Sequence, residues 1–464
     1  MRKVSALLLA SERRAISGLA GLYATRMLGL FMVLPVLALY AGDLAGATPL
    51  LVGVALGIYG LTQALFQIPF GVLSDRLGRK RVIAAGLVIF ALGSVVAAGA
   101  ETIGGVILGR ALQGSGAVAA AIMALLADQT REQVRTAAMA TIGLSIGVAF
   151  AVAMVLGPWL AAWAGLGGVF WFTAGLTGVG LLVLWRWVPT APRRLRHRDV
   201  SMDRRQFKKI ISRPDLWRLD LSIFALHLVL MAIFVAIPFR LLEAGVALEY
   251  HGLAYLGIMA VAFVAMVPLV IVAEKKQRMK AMCLLAIAAI TLSLFGLGGL
   301  AGAPWLMFVW LWIFFTGFNL LEATLPSMLS KLAPAGAKGT AMGVYSTSQF
   351  LGAFLGGTLG GTLANFLGLE AVFIGCAVLA GLWWLAMLGM PSPPPLSSEV
   401  VALDDSHHGD ALDALMLRLA EVAGVEDVMV VPEERLAYLK VNRKNLDEAA
   451  LSHVFTPSSS EKKP

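Results

Sequence analysis

Gly71-Val-Leu-Ser-Asp75-Arg76-Leu-Gly78-Arg79-Lys80-Arg81 is the stretch of sequence that decides the fold. This short charged segment separates two long apolar runs, near Leu50–Leu73 and Val82–Gly99. A helix that crosses a bilayer needs about 20 predominantly apolar residues, and each run is long enough. The charged segment is therefore predicted to be a tight loop at the membrane border, between two spans.

Similar apolar runs recur along the whole chain of 464 residues. Its composition is 59% hydrophobic and 14% charged, whereas soluble domains are about 45–50% apolar and about 25% charged. Disorder, a coiled coil and a disulfide scaffold are excluded, and an all-α membrane protein with twelve transmembrane helices is predicted. The spans are placed near Ile16–Tyr40, Leu50–Leu73, Val82–Gly99, Ile103–Leu126, Ala137–Trp163, Val169–Val188, Leu219–Phe239, Gly252–Ala273, Met279–Leu300, Trp305–Leu329, Thr340–Phe366 and Ala371–Met390.

The loops that connect these runs differ in charge. One set of loops is basic, and the opposite set carries Arg240 beside several acidic residues. The positive-inside rule places the basic set and both termini in the cytoplasm, with no cleaved signal peptide at the start. A multi-pass membrane protein is predicted. The basic loop residues are Arg76, Arg79, Lys80, Arg81, Arg131, Arg135, Lys275, Lys276, Arg278, Lys280, Lys331 and Lys338.

The two sets of six runs resemble two copies of one unit. The segment Val270–Lys280 after the eighth run repeats the acidic and basic spacing of Gly71–Arg81. Arg135–Ala140 likewise matches Lys338–Gly343, and the same register aligns Gly157 with Gly360. Two six-helix repeats predict two bundles with a binding site between them, near the membrane midplane.

The segment Gly71–Arg81 resembles the loop 2–3 signature of the major facilitator superfamily. Three further segments, Gly57–Gly71, Leu108–Gly116 and Lys338–Gln349, are more narrowly similar to bacterial YajR-type transporters. That group is similar to drug:proton antiporters and carries a small soluble C-terminal domain. The resemblance implies proton-coupled efflux of a small, drug-like molecule by alternating access, in the inner membrane of a bacterium. The sequence has no Ser/His pair, metal cluster, paired carboxylates or phosphate-binding loop, so enzymatic activity, a cofactor and a metal are not expected. A facilitator or symporter, and a membrane sensor that signals through its C-terminal domain, are the alternatives.

The resemblance also implies roles for residues at the membrane border. A charged cluster would latch the two bundles together in the outward-facing state, and only one working latch is expected because the second copy has lost its glycines. Gly157-Pro158 matches part of the antiporter signature and is predicted to kink its helix, although Ala153 replaces an expected glycine. The predicted latch comprises Gly71, Asp75, Arg76, Gly78, Arg79, Lys80 and Asp128.

Ionisable residues inside the spans are candidates for function, because each costs at least about 2.5–3.5 kcal/mol at the centre of a membrane helix. They fall in spans one, four, seven and ten, which line the central cavity in the superfamily. Glu322 and His227 are competing candidates for the proton carrier. Arg26 and Arg110 could hold a carboxylate, bind an anionic substrate or tie helices together. The proton-coupling and cavity candidates are Glu322, His227, Arg26, Arg110, Gln113, Asn319 and Asp220, and the cavity or gate candidates are Tyr59, Gln63, Gln67, Tyr345 and Gln349.

Composition divides the chain into six parts. They are a six-helix bundle (1–188), a basic linker (189–215), a second bundle (216–390), a Pro-rich spacer (391–398), a soluble domain (399–456) and a disordered tail (457–464). The linker is predicted to lie on anionic lipid, and nucleic acid is not expected as a partner. The soluble domain reads as βαββα and suggests a small α+β ferredoxin-like fold. Its role is left open between regulation, dimerisation and ligand binding.

Overall fold

The computed structural model describes residues 8–189, 212–299, 304–333, 338–392, 396–403, 410–431, 436–442 and 445–454. The predicted lipid-binding linker, apart from its first and last residues, and the predicted tail at 457–464 lie outside them. The helices are α1 (Ala10–Phe31), α2 (Leu37–Tyr40), α3 (Pro49–Leu77), α4 (Arg79–Ala98), α5 (Ile103–Ser115), α6 (Ala119–Gln129), α7 (Glu132–Arg186), α8 (Pro214–Glu243), α9 (His251–Lys275), α10 (Met279–Gly299), α11 (Pro304–Leu332), α12 (Lys338–Leu367) and α13 (Leu369–Leu388).

Local sequence sets several helix ends. The Thr48 hydroxyl accepts a hydrogen bond from the Leu51 amide at 3.2 Å, and Pro49 occupies the first turn of α3. Both choices are favoured at a helix N-terminus, where backbone donors lack partners. Gly78 separates α3 from α4 with a φ of 97°, a conformation that a residue with a Cβ rarely adopts. The glycine in the signature segment therefore makes the turn.

Ten helices in the described part of the chain are long and apolar enough to cross a membrane. One of them, within α7, is 50 residues long and covers the predicted fifth and sixth spans. Its helical conformation is interrupted at Gly165, with φ 66° and ψ −174°. The backbone continues helically through Gly157-Pro158, so the interruption lies beyond the predicted kink, at a glycine that tolerates positive φ. Helix α1, with its four charged residues, is not among the ten.

Two predicted spans are broken within the described residues. The first, Ile16–Tyr40, divides into α1 and α2, with turns from Met32 to Val36. Pro35 lies in this break, and proline removes a backbone donor that a continuous helix needs. The fourth divides into α5 and α6, around Gly116. A methyl group added at Gly116 would lie 3.1 Å from the Phe90 amide nitrogen on α4. The close approach favours glycine, which disfavours a regular helix.

The repeat inferred from the sequence is visible in the packing of the bundles. A methyl group on Gly157 of α7 would lie 3.1 Å from the carbonyl carbon of Met32, at the end of α1. One on Gly360 of α12 would lie 2.6 Å from the Cα of Ala232 on α8. The aligned glycines therefore make equivalent contacts: α7 packs closely against the end of α1 in the first bundle, and α12 packs closely against α8 in the second.

The two bundles meet along α3 and α12. Gly53 and Gly57 of α3 face Gly357 and Gly361 of α12, and an added methyl group on Gly53 would lie 2.8 Å from the Cα of Gly361. Small residues at this spacing let two membrane helices approach backbone to backbone. A second contact joins α7 to α9, where Gly252 packs against Val155.

Interhelical contacts define the two ends of the bundles. At the basic end, which contains Gly78, Lys80 Nζ donates to the Val188 carbonyl at 2.5 Å, and Gln129 donates to the Pro189 carbonyl. At the opposite end, Arg240 pairs with Glu370 at 3.5 Å. The last turn of α7 is therefore fastened to α4 and α6 at the basic end.

An ion pair fixes the start of α1 at the basic end. Glu12 is buried, and its Oε1 accepts from the backbone amide and the Nε of Arg131 at 3.0 and 2.9 Å. The hydrogen bonds from Arg131 lower the pKa of Glu12 from 4.5 to about 2. The carboxylate therefore joins α1 to the segment between α6 and α7.

We expect Glu12→Gln to destabilise the protein at neutral pH and to have a smaller effect in acid. The depressed pKa means that the carboxylate stabilises the fold fully above 4.5, and that this contribution is lost as the pH falls toward 2. Thermal unfolding of both proteins, measured across this range, checks the prediction. Glu370→Gln, which removes an exposed carboxylate, is the control; a difference between Glu12→Gln and wild type that stays constant down to the lowest pH would contradict it.

The C-terminal domain contains β1 (Leu396–Ala402), α14 (Asp410–Ala420), β2 (Val425–Val431), β3 (Leu436–Asn442) and α15 (Glu448–Val454). The strands form an antiparallel sheet in the order β1-β3-β2, and Leu415 and Leu419 of α14 are buried in its core. The described elements follow the predicted βαββα order. Strand β1 begins at Leu396, inside the predicted spacer 391–398 and four residues before the predicted Val400, because its pairing with β3 extends to Asn442.

Candidate functional site

Arg26 is the centre of a polar cluster inside the first bundle. It lies on α1 with 2% of its surface exposed. Its Nη2 donates to the hydroxyl of Tyr59 at 2.5 Å and to Oε1 of Gln63 at 2.6 Å, both on α3. Because Tyr59 and Gln63 are one helical turn apart, they face Arg26 together. Tyr59 and Gln63 therefore join α3 to α1 in this conformation, and their role in lining a cavity or gate stays a prediction.

Arg110 is fully buried on α5, beside this cluster. Nε and Nη2 donate to the carbonyls of Ala55 and Leu56 at 3.3 and 3.4 Å, and Nη1 donates to Gln113 at 3.1 Å. Its guanidinium lies 5.2 Å from the centre of the Tyr59 ring. Each nitrogen of this guanidinium thus has a protein acceptor, and Arg110 ties α5 to α3.

Glu322 and His227 lie next to each other in the second bundle. Glu322 Oε1 on α11 is 3.2 Å from His227 Nε2 on α8, and Gln349 Nε2 on α12 lies 2.8 Å from the same nitrogen. His227 Nδ1 is 3.2 Å from the carbonyl of Ile223. The two residues that the sequence presents as competing proton carriers are therefore one pair, joined to a third helix by Gln349.

Neither Arg26 nor Arg110 binds Glu322 in this conformation. Both arginines bind groups of their own bundle, since carbonyl, phenol and amide oxygens accept their donors. The acid instead lies beside His227. Among the described residues of the second bundle, the buried polar atoms without a hydrogen-bond partner include Glu322 Oε1 itself, Asp220 Oδ1, Asn319 Nδ2 and the Tyr345 hydroxyl.

Aromatic rings from both bundles meet next to this site. Phe150 of α7 packs against Phe31 of α1 at 5.0 Å and against Phe318 of α11 at 6.0 Å between ring centres. Phe318 in turn lies 6.0 Å from His227. The cluster therefore links the first bundle to the acid–histidine pair of the second. The sequence analysis missed these phenylalanines, because nothing in an apolar run marks which rings face a site.

The signature segment forms a charge network at the basic end of the first bundle. Arg79 pairs with Asp75 on α3 and, through Nε, with Asp128 on α6 at 3.1 Å. Its Nη1 also donates to Ser74 at 2.7 Å. A methyl group at Gly71 would lie 3.7 Å from Ala120, an ordinary contact, so the close helix approach expected at Gly71 is found at Gly53 and Gly57 instead.

The second bundle has a network at the equivalent position. Glu274, which aligns with Asp75, accepts from Ser327 at 2.6 Å and from Lys331 at 2.7 Å, both on α11. An acid and a base therefore meet in this bundle too, and the expectation of only one working latch stays a prediction. The turn after α9 lacks the glycines of the signature segment, but the acid, Glu274, and a nearby base, Lys331, are both present. The positive φ of 55° at Gln277 shows that the turn itself persists.

We expect Asp75→Asn, Arg79→Ala and Asp128→Asn each to slow transport while the protein remains folded. A loss of about tenfold corresponds to ~1.4 kcal/mol, which is within the range for a shared ion-pair network. Arg79→Ala combined with Asp128→Asn should be no slower than the slower single variant. Initial transport rates in vesicles check this, with Lys276→Ala as a control that removes an exposed cation. Additive losses would show that the two residues act separately.

No group of three or more His, Cys, Asp or Glu side chains in the described ranges could hold a metal ion. The buried cysteines, Cys283 and Cys376, lie in α10 and α13. The ionisable candidates of the two bundles are two carboxyl groups, Asp220 and Glu322, one imidazole, His227, and two guanidinium groups, Arg26 and Arg110.

Comparisons with known proteins agree along the chain. A family profile described as Major Facilitator Superfamily matches residues 19–357, and one described as the YajR YAM domain matches residues 403–455. The Inner membrane transport protein YajR of Escherichia coli (strain K12) is 47% identical over 434 residues, which is 93% of this chain and 95% of that protein. An uncharacterized transporter of Buchnera aphidicola subsp. Schizaphis graminum (strain Sg) is 36% identical over 362 residues, 78% of this chain and 92% of its own.

Solved structures share the fold at low sequence identity. A D-xylose-proton symporter superimposes with a TM-score of 0.65 at 16% identity, over 82% of this chain and 98% of that one. A bacterial homolog of the human lysosomal transporter Spinster, inward-facing and occupied, gives a TM-score of 0.66 at 14% identity, over 82% and 97%. At these identities the likeness establishes the architecture of the helical part and no substrate.

Proposed function

The chain belongs to the major facilitator superfamily of membrane transporters, and we propose that it couples the outward movement of a small molecule to the inward movement of protons. In this proposal the two bundles rock about the site between them, by alternating access. The predicted twelve spans are α1–α2, α3, α4, α5–α6, the two parts of α7, and α8 to α13, as in a fold of two six-helix repeats.

The contact between Glu322 and His227 is the observation that carries this proposal. A carboxyl group 3.2 Å from an imidazole nitrogen gives a proton two adjacent sites on two helices, α11 and α8. Ionisable residues at membrane depth in transporters typically form proton relays. A change in the relative position of these helices would change which group holds the proton, and such a change is what coupling to a moving bundle requires.

The proposal also assigns an orientation and a role to the C-terminal domain. The basic end, with the loops at Gly78, Thr130 and Gln277, would face the cytoplasm of a bacterium together with both termini. The basic linker would lie on anionic lipid there. The β1-β3-β2 sheet order and the βαββα chain order support a ferredoxin-like domain that lacks a last strand, acting on the cytoplasmic side in regulation, dimerisation or ligand binding.

A transport assay under an imposed pH gradient tests the function. The purified full-length protein is reconstituted in proteoliposomes, and a library of small labelled molecules is tested with the gradient in either direction and without it. Antiport predicts accumulation of at least one compound on the acidic side of the membrane, lost when the gradient is collapsed. Accumulation on the alkaline side would show symport, equilibration without accumulation would show a facilitator, and ligand binding without movement would show a sensor.

A further inference from the structure

Arg26 is buried with guanidinium donors that no described protein group accepts. Nη2 binds Tyr59 and Gln63, whereas Nε and Nη1 are buried without a partner. The side-chain nitrogen of Gln63 is also buried and unpaired. A buried donor without an acceptor is destabilising, and more so when it is charged. All three unused groups in this cluster are donors, so the cluster lacks an acceptor.

Arg110 is an example of an arginine whose nitrogens all donate to protein oxygens and join helices. Its three nitrogens each donate to an oxygen of α3 or of its own helix. Arg26 has the same chemistry and a similar depth of burial, yet two of its nitrogens are unused. The contrast argues that the free donors of Arg26 have a partner that is not part of the helical bundle.

The charge of this region points to a negative partner. Both guanidinium groups lie against the Tyr59 ring, at 5.9 Å for Arg26 and 5.2 Å for Arg110. Within the described ranges, neither arginine forms an ion pair with an acidic residue. Two positive charges that share a low-dielectric site without an acid attract an anion strongly.

Aromatic surface lies on the remaining sides. Phe90 is 5.8 Å from the Arg26 guanidinium, and Phe350 of α12 lies 6.4 Å from the Tyr59 ring. Phe31 lies further along α1 than Arg26 and packs against Phe150 of the aromatic cluster. Such rings favour an apolar or aromatic body next to the anionic group. A carboxylate carries a single negative charge, which the few free donors can stabilise. A phosphate dianion would need more hydrogen-bond donors to offset its desolvation.

We infer that Arg26 and Gln63 bind a carboxylate on an apolar or aromatic body, and that monocarboxylates of this kind are the substrate class. This inference rests on the proposed function, because it names the molecule that the site between the bundles would carry. It assigns Arg26 to the substrate and leaves the proton to Glu322 and His227.

Equilibrium binding by the purified full-length protein in detergent tests the inference without any gradient. The probes are phenylalkyl and linear alkyl carboxylates of increasing length, each with the primary amide and the amine of the same skeleton. At least one carboxylate is expected to raise the thermal unfolding midpoint, with its amide at least tenfold weaker and its amine inactive. Equal binding of acid and amide, stronger binding of the amine, or no shift from any carboxylate would overturn the inference.

Variants identify the binding residue. Arg26→Gln is expected to weaken carboxylate binding at least tenfold and to leave the weak amide binding unchanged, while Arg26→Lys retains part of the preference for the acid. Arg240→Gln is the matched control, because Arg240 already pairs with Glu243 and Glu370. Full carboxylate binding by a folded Arg26→Gln protein would refute the assignment. Carboxylate binding without pH-driven transport would instead leave this inference intact and refute proton coupling.

Discussion

Replacing Glu322 with glutamine is expected to abolish transport driven by a pH gradient while leaving the protein folded. Glutamine has nearly the same shape as the acid but cannot gain or lose a proton. The neighbouring His227 and Gln349 can hydrogen-bond to an amide as well as to a carboxyl group. Packing is therefore preserved and only the proton is removed. Accumulation of substrate against its gradient in proteoliposomes should fall to the level of empty vesicles, and downhill exchange should remain measurable.

His227→Asn separates the two members of the pair. If they share one proton, the histidine variant should weaken coupling, and the double variant should behave like Glu322→Gln alone. Glu370→Gln, which removes a carboxylate with 68% of its side chain exposed at the opposite end, should transport normally. Normal pH-driven accumulation by Glu322→Gln together with its loss in His227→Asn would make the histidine the proton carrier and the carboxylate assignment wrong.

A second large effect is expected from Gly57→Val at the interface between α3 and α12. An added methyl group alone would lie 3.0 Å from the Cα of Phe354, and valine adds two more carbons. The helices cannot keep this separation, so the conformation described here should be destabilised and transport should fall at least tenfold, which is ~1.4 kcal/mol or more. Gly143→Val on α7 is the matched control, because nothing lies within 4 Å of an added methyl group there.

Cross-linking of cysteine pairs measures the predicted change in conformation. Nε2 of Gln67 lies 3.3 Å from the Thr347 hydroxyl across the two helices, so cysteines at these two positions should react readily with a short bifunctional thiol reagent. Gly57→Val should slow the reaction and Gly143→Val should not. Unchanged cross-linking and transport in Gly57→Val would show that the interface tolerates a side chain and that its glycines have another role.

The sequence predicts much of this architecture because membrane spans and their charges are local signals. Apolar runs locate the helices, and the ionisable residues within them, Arg26, Arg110, His227 and Glu322, are the candidates for the site. Which of these residues meet is not local. His227 and Glu322 lie on helices separated by two others in the chain, and only the packing of the second bundle brings them together.

The sequence does not determine which group each buried arginine binds. An arginine has five donors and donates to neutral oxygens as well as to carboxylates, so the presence of a buried acid does not determine its partner. The sequence does contain a signal for the close contact between α3 and α12, because Gly53, Gly57 and Gly60 recur at helical spacing. The sequence analysis emphasised Gly71 of the signature segment and did not use this pattern. The breaks at Pro35 and Gly165 depend on how a single residue is accommodated, which composition does not reveal.

The clamp at the end of α7 limits what the linker between the bundles can do. Lys80 and Gln129 hold the backbone at Val188 and Pro189, and Arg213 pairs with Asp215 at the start of α8. Twenty-four residues, 190–213, connect this clamp to the start of α8. A chain of that number of residues can reach at most about 80 Å, at roughly 3.3–3.6 Å per residue, which exceeds the thickness of a bilayer, about 40–45 Å with its headgroups. Its length alone therefore leaves room for the bundles to rock, and we expect that removing several of its residues leaves turnover unchanged.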